Sequence, residues 1–271
     1  MTGRESGISG TMTVMATGIS GRTAVLTGAG KLTGLGHAFA MGLAKCGANV
    51  VVADIVEGAE SVAHIKALGG RAVYVHCDVS KEADVKRLAY TVEAEFGGCD
   101  ILVHGASPFR HKIIDEMSLA DWHQVVSANL DGMFMLAHAF VPGMKARRWG
   151  RIIPISSASV QHGTGGRTNY MTAKAGLIGF ARSLARETGN FGITVNVLSP
   201  GLVRTERGHE TALTDAAFAG RDKYDLMREL QSIGETLVPD NLVGPLLFLA
   251  SDDSAYVTGQ TLLVDAGWQH L

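Results

Sequence analysis

Thr23-Ala-Val-Leu-Thr27-Gly-Ala-Gly-Lys-Leu-Thr-Gly-Leu-Gly36-His-Ala-Phe-Ala-Met-Gly-Leu-Ala-Lys45 carries three signals in one line. The apolar run from Thr23 to Leu26 predicts a strand, Gly28, Gly30, Gly34 and Gly36 predict a turn, and the spacing from His37 to Lys45 predicts a helix. In that order a backbone can approach a pyrophosphate closely, because glycines leave room and the helix N-terminus presents unpaired N–H groups and a positive dipole end. The stretch therefore predicts the opening unit of a parallel sheet and a dinucleotide site that includes Leu35. Glycine-rich turns are common, so the weight falls on what surrounds this one.

Working outward, a second strand, Asn49 to Ala53, ends in Asp54 and Ile55. A carboxylate at the end of the second strand can accept hydrogen bonds from an adenosine ribose and would repel a 2′-phosphate. This favours NAD over NADP, although Lys31 inside the turn could meet a phosphate. The alternation continues with a helix near Gly58 to Leu68, strand Ala72 to His76 with Asp78-Val79 behind it, and a helix from Ala83 to Phe96. Strand Ile101 to Val103 leads into His104-Gly-Ala-Ser107. A long helix follows over Leu119 to Arg147, and strand Arg151 to Ile155 delivers Ser156 and Ser157. Beyond a helix at Tyr170 come strand Thr194 to Leu198, Ser199-Pro-Gly201, a variable stretch to about Pro239, helix Leu242 to Ala250 and strand Thr261 to Val264. Seven strands alternating with helices predict an α/β fold: one Rossmann-type doubly wound parallel sheet with helices on both faces. It would occupy residues 22–271 as a single domain, and the Gly/Ser/Thr-rich residues 1–21 would be a flexible extension.

Hydrophobic residues make up 46% of the 271, enough for a substantial core. A net charge of -2 offers no basic footprint for nucleic acid. Cys46, Cys77 and Cys99 have neither metal-ligand nor disulfide-framework spacing, so they read as reduced thiols of a cytoplasmic protein without a metal. No apolar run approaches the roughly 20 residues needed to span a bilayer, and no membrane partner is expected.

Chemistry is expected between Ser157 and Lys174. Tyr170 and Lys174 lie four apart at the start of an apolar helical pattern, hence on one face a turn apart. A nearby ammonium stabilises a phenolate, which makes the pair a plausible proton-transfer group. An isolated Tyr-x-x-x-Lys is more often a core tyrosine beside a solvated lysine, and the rest of the chain has to turn that reading.

Taken together these residues resemble the short-chain dehydrogenase/reductase family from Arg22 to the C-terminus. The resemblance rests on Thr27-Gly28 with Gly34 and Gly36, on Asp54, on Asp78-Val79, and on Asn129 in Asn-Leu-Asp-Gly. It extends through Ile155-Ser-Ser157, Tyr170-x-x-x-Lys174, Pro200-Gly-Leu-Val-Arg-Thr205 and Val257 to Gly267. It implies that Tyr170 is the acid/base on the substrate oxygen, that Ser157 hydrogen-bonds that oxygen, and that Lys174 assists Tyr170 and binds the nicotinamide ribose. Asn129 would anchor a water in a proton relay. Asp78 would reach the adenine, Gly105 and Ala106 would pass behind the adenosine, and Pro200, Gly201, Val203 and Thr205 would hold the nicotinamide end. Ser156 and Ser159 compete for the serine role, and spacing to Tyr170 favours Ser157. The chain departs from the family twice. Five residues instead of three separate Gly28 from Gly34, and His104-Gly-Ala-Ser107 replaces Asn-Asn-Ala-Gly, so backbone groups and His104 would have to fill in.

The expected enzyme is a NAD-dependent oxidoreductase acting on CH–OH groups and a small-molecule substrate. Ala139 to Lys145, Trp149 to Ile153, Leu202 to Thr205 and Ala250 to Asp253 are similar to secondary-alcohol dehydrogenases of the 1-phenylethanol type. Pro108, Phe109, Val160, His162 and Leu202, with part of Thr211 to Met227, would line a mainly apolar pocket. That favours a hydrophobic or aryl ketone. A 3-oxoacyl-thioester reductase shares the residues but usually prefers NADPH; a non-catalytic NAD-binding regulator is the alternative from another class. Arg110, His111 and Arg167 would matter only if they point inward. The family's long helices commonly pair between subunits, which implies a homotetramer.

Overall fold

The strand Thr23–Thr27 (β1) is buried along its whole length and pairs on both sides in parallel. Its neighbours are Asn49–Asp54 (β2) and Ile101–His104 (β4) in the computed structural model, which describes residues 16–109, 111–205 and 221–269. With Ala72–His76 (β3), Gly150–Pro154 (β5) and Ile193–Val195 (β6) they form a parallel sheet ordered β3-β2-β1-β4-β5-β6. Helices cover both faces, so β1, β2 and β4 are apolar at nearly every position and do not alternate. Ala24 and Leu26 of β1 enter one core with Phe39, Leu43 and Leu246, while Val25 enters the other with Leu88, Leu136 and Leu177.

The strand expected over Thr194 to Leu198 is broken at Asn196. Val197–Pro200 (β7) leaves β5 and pairs with Thr261–Val264 (β8). Asn196 is buried, and its side-chain amide donates to the Val257 carbonyl (2.7 Å) and accepts from the Gln260 N–H (3.1 Å). These bonds tie the break to the turn that starts β8. Because Ile155 still bridges Leu198, counting through the break gives the expected seven positions.

Among the described residues the α-helices are Leu35–Lys45 (α1), Ala59–Ala67 (α2), Glu82–Phe96 (α3), Leu119–Val126 (α4), Gly132–Arg147 (α5), Thr168–Thr188 (α6), Lys223–Leu230 (α7) and Val243–Ala250 (α8). Between α4 and α5 the chain stays helical but widens into one π-helical turn, Ser127–Asp131. This corrects the view that no segment reaches membrane-spanning length. By length and composition the continuous helix Leu119–Arg147 does, yet here half of its most apolar stretch is packed inside, with Met133, Leu136 and Met144 in the core.

A second correction concerns the N-terminus. Residues 1–15 lie outside the described residues, but Ile19 is 0% exposed in the core, Gly21 N–H donates to the Gly47 carbonyl (2.9 Å), and Thr17 Oγ1 donates to Asp253 (2.7 Å). The stretch from Ala16 to Gly21 is therefore part of the folded body, held by one buried apolar side chain that the polar composition around it disguised.

Candidate active site

Strand order reverses between β1 and β4, and a crevice opens at the carboxyl ends of those strands, where ligands of open α/β sheets bind. A cavity of about 560 Å³ lies there. Gly28, Gly34, Leu35 and Gly36 form its turn and helix-end wall, Asp54 and Ile55 its next edge, Asp78 and Val79 the following one, and Gly105 and Ala106 its floor. Gly28 has φ 73°, and a Cβ there would stand 2.7 Å from the Ala106 amide nitrogen, so only glycine lets the two strand ends meet.

Asp54 is pinned by the lengthened turn. Its Oδ2 accepts the Gly30 N–H at 2.8 Å and its Oδ1 accepts the Val56 N–H at 3.1 Å. A Cβ on Gly30 would sit 2.6 Å from the Val56 carbonyl. Gly30 thus lies behind Asp54 and outside the cavity lining, buttressing the carboxylate. Asp78 is similarly fixed: burial opposes its ionisation, but hydrogen bonds from Ser80 and Lys81 outweigh it and hold the carboxyl below its usual range.

His104, at the end of β4, is 1% exposed and joins three segments. Its Nε2 faces the Asn129 carbonyl at 3.1 Å, an acceptor only, so Nε2 carries the hydrogen. Its Nδ1 therefore accepts from Thr27 Oγ1 at 2.8 Å, and Thr27 Oγ1 in turn accepts the Ala106 N–H at 3.3 Å. Burial first, then the Lys174 charge, pushes His104 down to about 4, which keeps the ring neutral, and the Asn129 carbonyl selects this tautomer. The histidine thus braces β1, β4 and the π-helical turn where the family has asparagine. That turn holds Asn129, fully buried, with its Nδ2 on the Val125 carbonyl (2.8 Å) and its Oδ1 without a partner among the described residues. Helices widen by one residue frequently at functional sites.

A second cavity of about 490 Å³ adjoins the first and shares Leu35, Gly105, Ser107, Ile155 and Thr205 with it. Ser157, Tyr170 and Lys174 all line it. Lys174 is 3% exposed, donates to the Ile155 carbonyl at 2.7 Å, and stands 5.6 Å from the centre of the Tyr170 ring. Among the competing serines, Ser156 is committed to the Lys174 carbonyl (2.9 Å), whereas Ser157 Oγ lies 2.7 Å from Ser159 Oγ and both face the cavity. The end of β5 and the first turns of α6 bring these groups together, since Tyr170 and Lys174 sit one helical turn apart.

Pro200, Gly201, Leu202, Val203 and Thr205, following β7, form the opposite wall. Phe109 meets the Tyr170 ring edge-on, with centroids 5.5 Å apart. His162 packs against Trp268 (4.3 Å). Two expected pocket residues sit elsewhere. Pro108 lines the first cavity, because the chain after β4 crosses the dinucleotide floor before turning, and Val160 is absent from both linings because it closes a short 3-10 turn, Ala158–Val160. His111 is exposed, and Arg110 and residues 211–220 lie outside the described residues. Lys223, Leu226 and Met227 line the cavity from the expected stretch around Thr211 to Met227, whereas sequence reasoning missed Trp268 and Leu230, which stand on segments placed only by long-range packing.

The first cavity suits a nicotinamide dinucleotide: only glycine fits at Gly28, the start of α1 with Gly34, Leu35 and Gly36 lines it, and it carries a fixed carboxylate, Asp54, at the end of β2. The family described as enoyl-(acyl carrier protein) reductase matches residues 28–269. The chain belongs to the short-chain dehydrogenase/reductases, and it is an oxidoreductase acting on CH–OH groups. It is 37% identical over 248 residues to the 3-oxoacyl-[acyl-carrier-protein] reductase of Escherichia coli, covering 91% of this chain and 97% of that one. It is 36% identical over 249 residues to the short-chain reductase protein NovJ of Streptomyces niveus (90% and 92%). Among solved structures, a gluconate 5-dehydrogenase from Burkholderia cenocepacia in complex with NADP and tartrate superposes with a TM-score of 0.84 at 33% identity, over 92% of this chain and 95% of that one. A Beutenbergia cavernae chain with NADP at low occupancy gives 0.83 at 35% identity, over 92% and 97%.

Proposed function

We propose that the protein interconverts a ketone and a secondary alcohol with NAD(H), Tyr170 exchanging the proton on the substrate oxygen while Ser157 donates a hydrogen bond to it. The bound nicotinamide supplies or accepts the hydride. Support comes from one arrangement: Ser157, Tyr170 and buried Lys174 line a cavity continuous with the dinucleotide crevice. Lys174 bonds the Ile155 carbonyl and stays within reach of the Tyr170 ring, as an activator of the phenol must. Asn129, held in the π-helical turn and bonded through its carbonyl to His104, would anchor the water of a proton relay.

For the cofactor, the relatives and the chain's own residues pull apart. Two solved neighbours carry NADP, whereas Asp54 puts a fixed negative charge at the ribose position. We weight the residue present in this chain and assign NAD, because an uncompensated carboxylate beside a 2′-phosphate is repulsive. Kinetics with NADH and NADPH at equal concentration test this, and a preference for NADPH overturns it.

For the substrate, the relatives favour a 3-oxoacyl thioester over the aryl ketone expected from the sequence; Leu202, Leu226, Met227 and Leu230 offer an apolar wall along which an acyl chain can lie. Turnover of acetoacetyl thioesters compared with aryl ketones decides between them. The side chains of Leu119 and Phe134 on α4 and α5 are exposed, which supports the homotetramer reading; a monomeric mass in light scattering contradicts it.

A further inference from the structure

Ser157 does not stand alone beyond the end of β5. Its Oγ lies 2.7 Å from the Oγ of Ser159, and the Ser159 N–H donates to the same Ser157 Oγ at 3.3 Å. Both serines line the second cavity together with Tyr170 and Lys174. Backbone bonds hold the two hydroxyls at this spacing. Ser157 caps the short 3-10 turn Ala158–Val160, its carbonyl accepts the Val160 N–H at 3.1 Å, and the Ser159 carbonyl accepts the Gly163 N–H at 3.0 Å. Ala158, between the two serines, is fully buried and anchors the turn. Ser156 cannot take part, since its hydroxyl donates to the Lys174 carbonyl.

A serine hydroxyl has one hydrogen and two lone pairs, and it rotates to suit its neighbours. The short contact between the two oxygens takes one hydrogen, and which serine supplies it decides what Ser157 can offer a substrate. If Ser157 donates to Ser159, its only hydrogen is used up. If Ser159 donates, Ser157 accepts twice, from the Ser159 O–H and from the Ser159 N–H, and its one hydrogen is left for a third partner. A ketone oxygen accepts and cannot donate, so it matches the second state. We infer that Ser159 is a positioning residue: its hydroxyl donates to Ser157 Oγ and thereby turns the Ser157 hydrogen onto the substrate oxygen. This rests on the ketone–alcohol reading and gives Ser159 no contact with the substrate. In the reverse order, with Ser159 on the substrate, the terminal donor would accept from Ser157 alone. Hydrogen bonds in a chain polarise one another, so the doubly accepting Ser157 is the stronger donor to the charge that develops on the oxygen as hydride arrives.

The test is a double-mutant cycle on kcat. It uses the best substrate of a panel of ketones and secondary alcohols that includes acetoacetyl-coenzyme A, acetophenone and 1-phenylethanol, with whichever of NAD(H) and NADP(H) the wild-type enzyme prefers. Ser159→Ala keeps the N–H and removes the O–H donor. It should lower kcat about 3- to 10-fold, one hydrogen bond's worth, with the KM for the substrate and the Kd for the dinucleotide nearly unchanged. Ser159→Thr keeps a hydroxyl and should restore most of that loss. Ser157→Ala should lower kcat by about 10²- to 10³-fold. Adding Ser159→Ala to Ser157→Ala should then cost nothing further, because the second serine has no hydroxyl left to orient. Damage to the turn as a structure gives the opposite pattern, in which the two losses multiply and threonine rescues nothing. Either of those results overturns the positioning role while leaving the ketone–alcohol reading intact. So does a loss in Ser159→Ala as large as that in Ser157→Ala, which would put Ser159 itself on the substrate oxygen. No turnover of any member of the panel by the wild-type enzyme would sink both.

Discussion

The two halves of the crevice are built in different ways. The dinucleotide half is made from backbone and short side chains that follow one another along the chain: the Gly28 turn, the α1 terminus, Asp54 after β2 and Asp78 after β3. The substrate half is gathered from Phe109, Ser157, Arg167, Leu202, Lys223 and Trp268, which come from six separate segments. A common cofactor can be held by local geometry repeated in each βα unit, whereas substrate choice depends on side chains that only the closed fold brings together. His104 sits where the halves meet, with Thr27 on one side and Asn129 on the other.

The largest expected effect divides binding from chemistry. Tyr170→Phe should lower kcat by about 10²- to 10⁴-fold, the range of a positioned acid/base, while fluorescence titration shows NADH binding kept. Loss of NADH binding as well would mean the halves are not separable.

Next is the joint between them. His104→Leu leaves the Asn129 carbonyl and the Thr27 hydroxyl without their buried partner, and should cost about 1–3 kcal/mol in urea unfolding. His104→Gln, which can donate and accept, should recover much of it. The same residue predicts a pH dependence. His104 is held near 4 in the folded protein against an ordinary value of 6.5, so between those limits the unfolded chain binds more protons. Stability should therefore rise with pH across that window and level off above it, by on the order of 3 kcal/mol at most. That part of the slope should vanish in His104→Gln, and an unchanged slope would remove His104 from the account.

Smaller effects probe the cofactor half alone. Asp54→Ala should reduce the ratio of kcat/KM for NADH over NADPH by about tenfold, one charge-assisted hydrogen bond's worth. Gly30→Ala should shift the turn away from the Val56 carbonyl and raise the NADH Kd by less than that, roughly a few-fold, with kcat nearly unchanged. A larger effect of Gly30→Ala than of Asp54→Ala would mean the lengthened turn itself, not the carboxylate it supports, makes the contact.

Much of this molecule was legible before its fold was seen. Continuous apolar strands, helical spacing and the glycine turn are short-range signals, and they carried the order of elements, the parallel sheet and the approach of Tyr170 to Lys174. Sequence reading stopped where contacts become long-range. It could not see that Ile19 packs in the core, that Asn196 breaks a strand, or that Gly30 serves Asp54 from behind. Nor could it tell that Arg167 faces the cavity while Val160 does not, because helix phase and loop direction there are set by packing against α7 and the C-terminal segment. The sequence by itself determined the sheet, the crevice over the Gly28 turn and the placing of Tyr170 and Lys174 one helical turn apart, since each follows from backbone periodicity and spacing within a turn or two. Only the tertiary structure decided how His104 joins the halves and which side chains line the second cavity, because those depend on residues that meet across the whole chain.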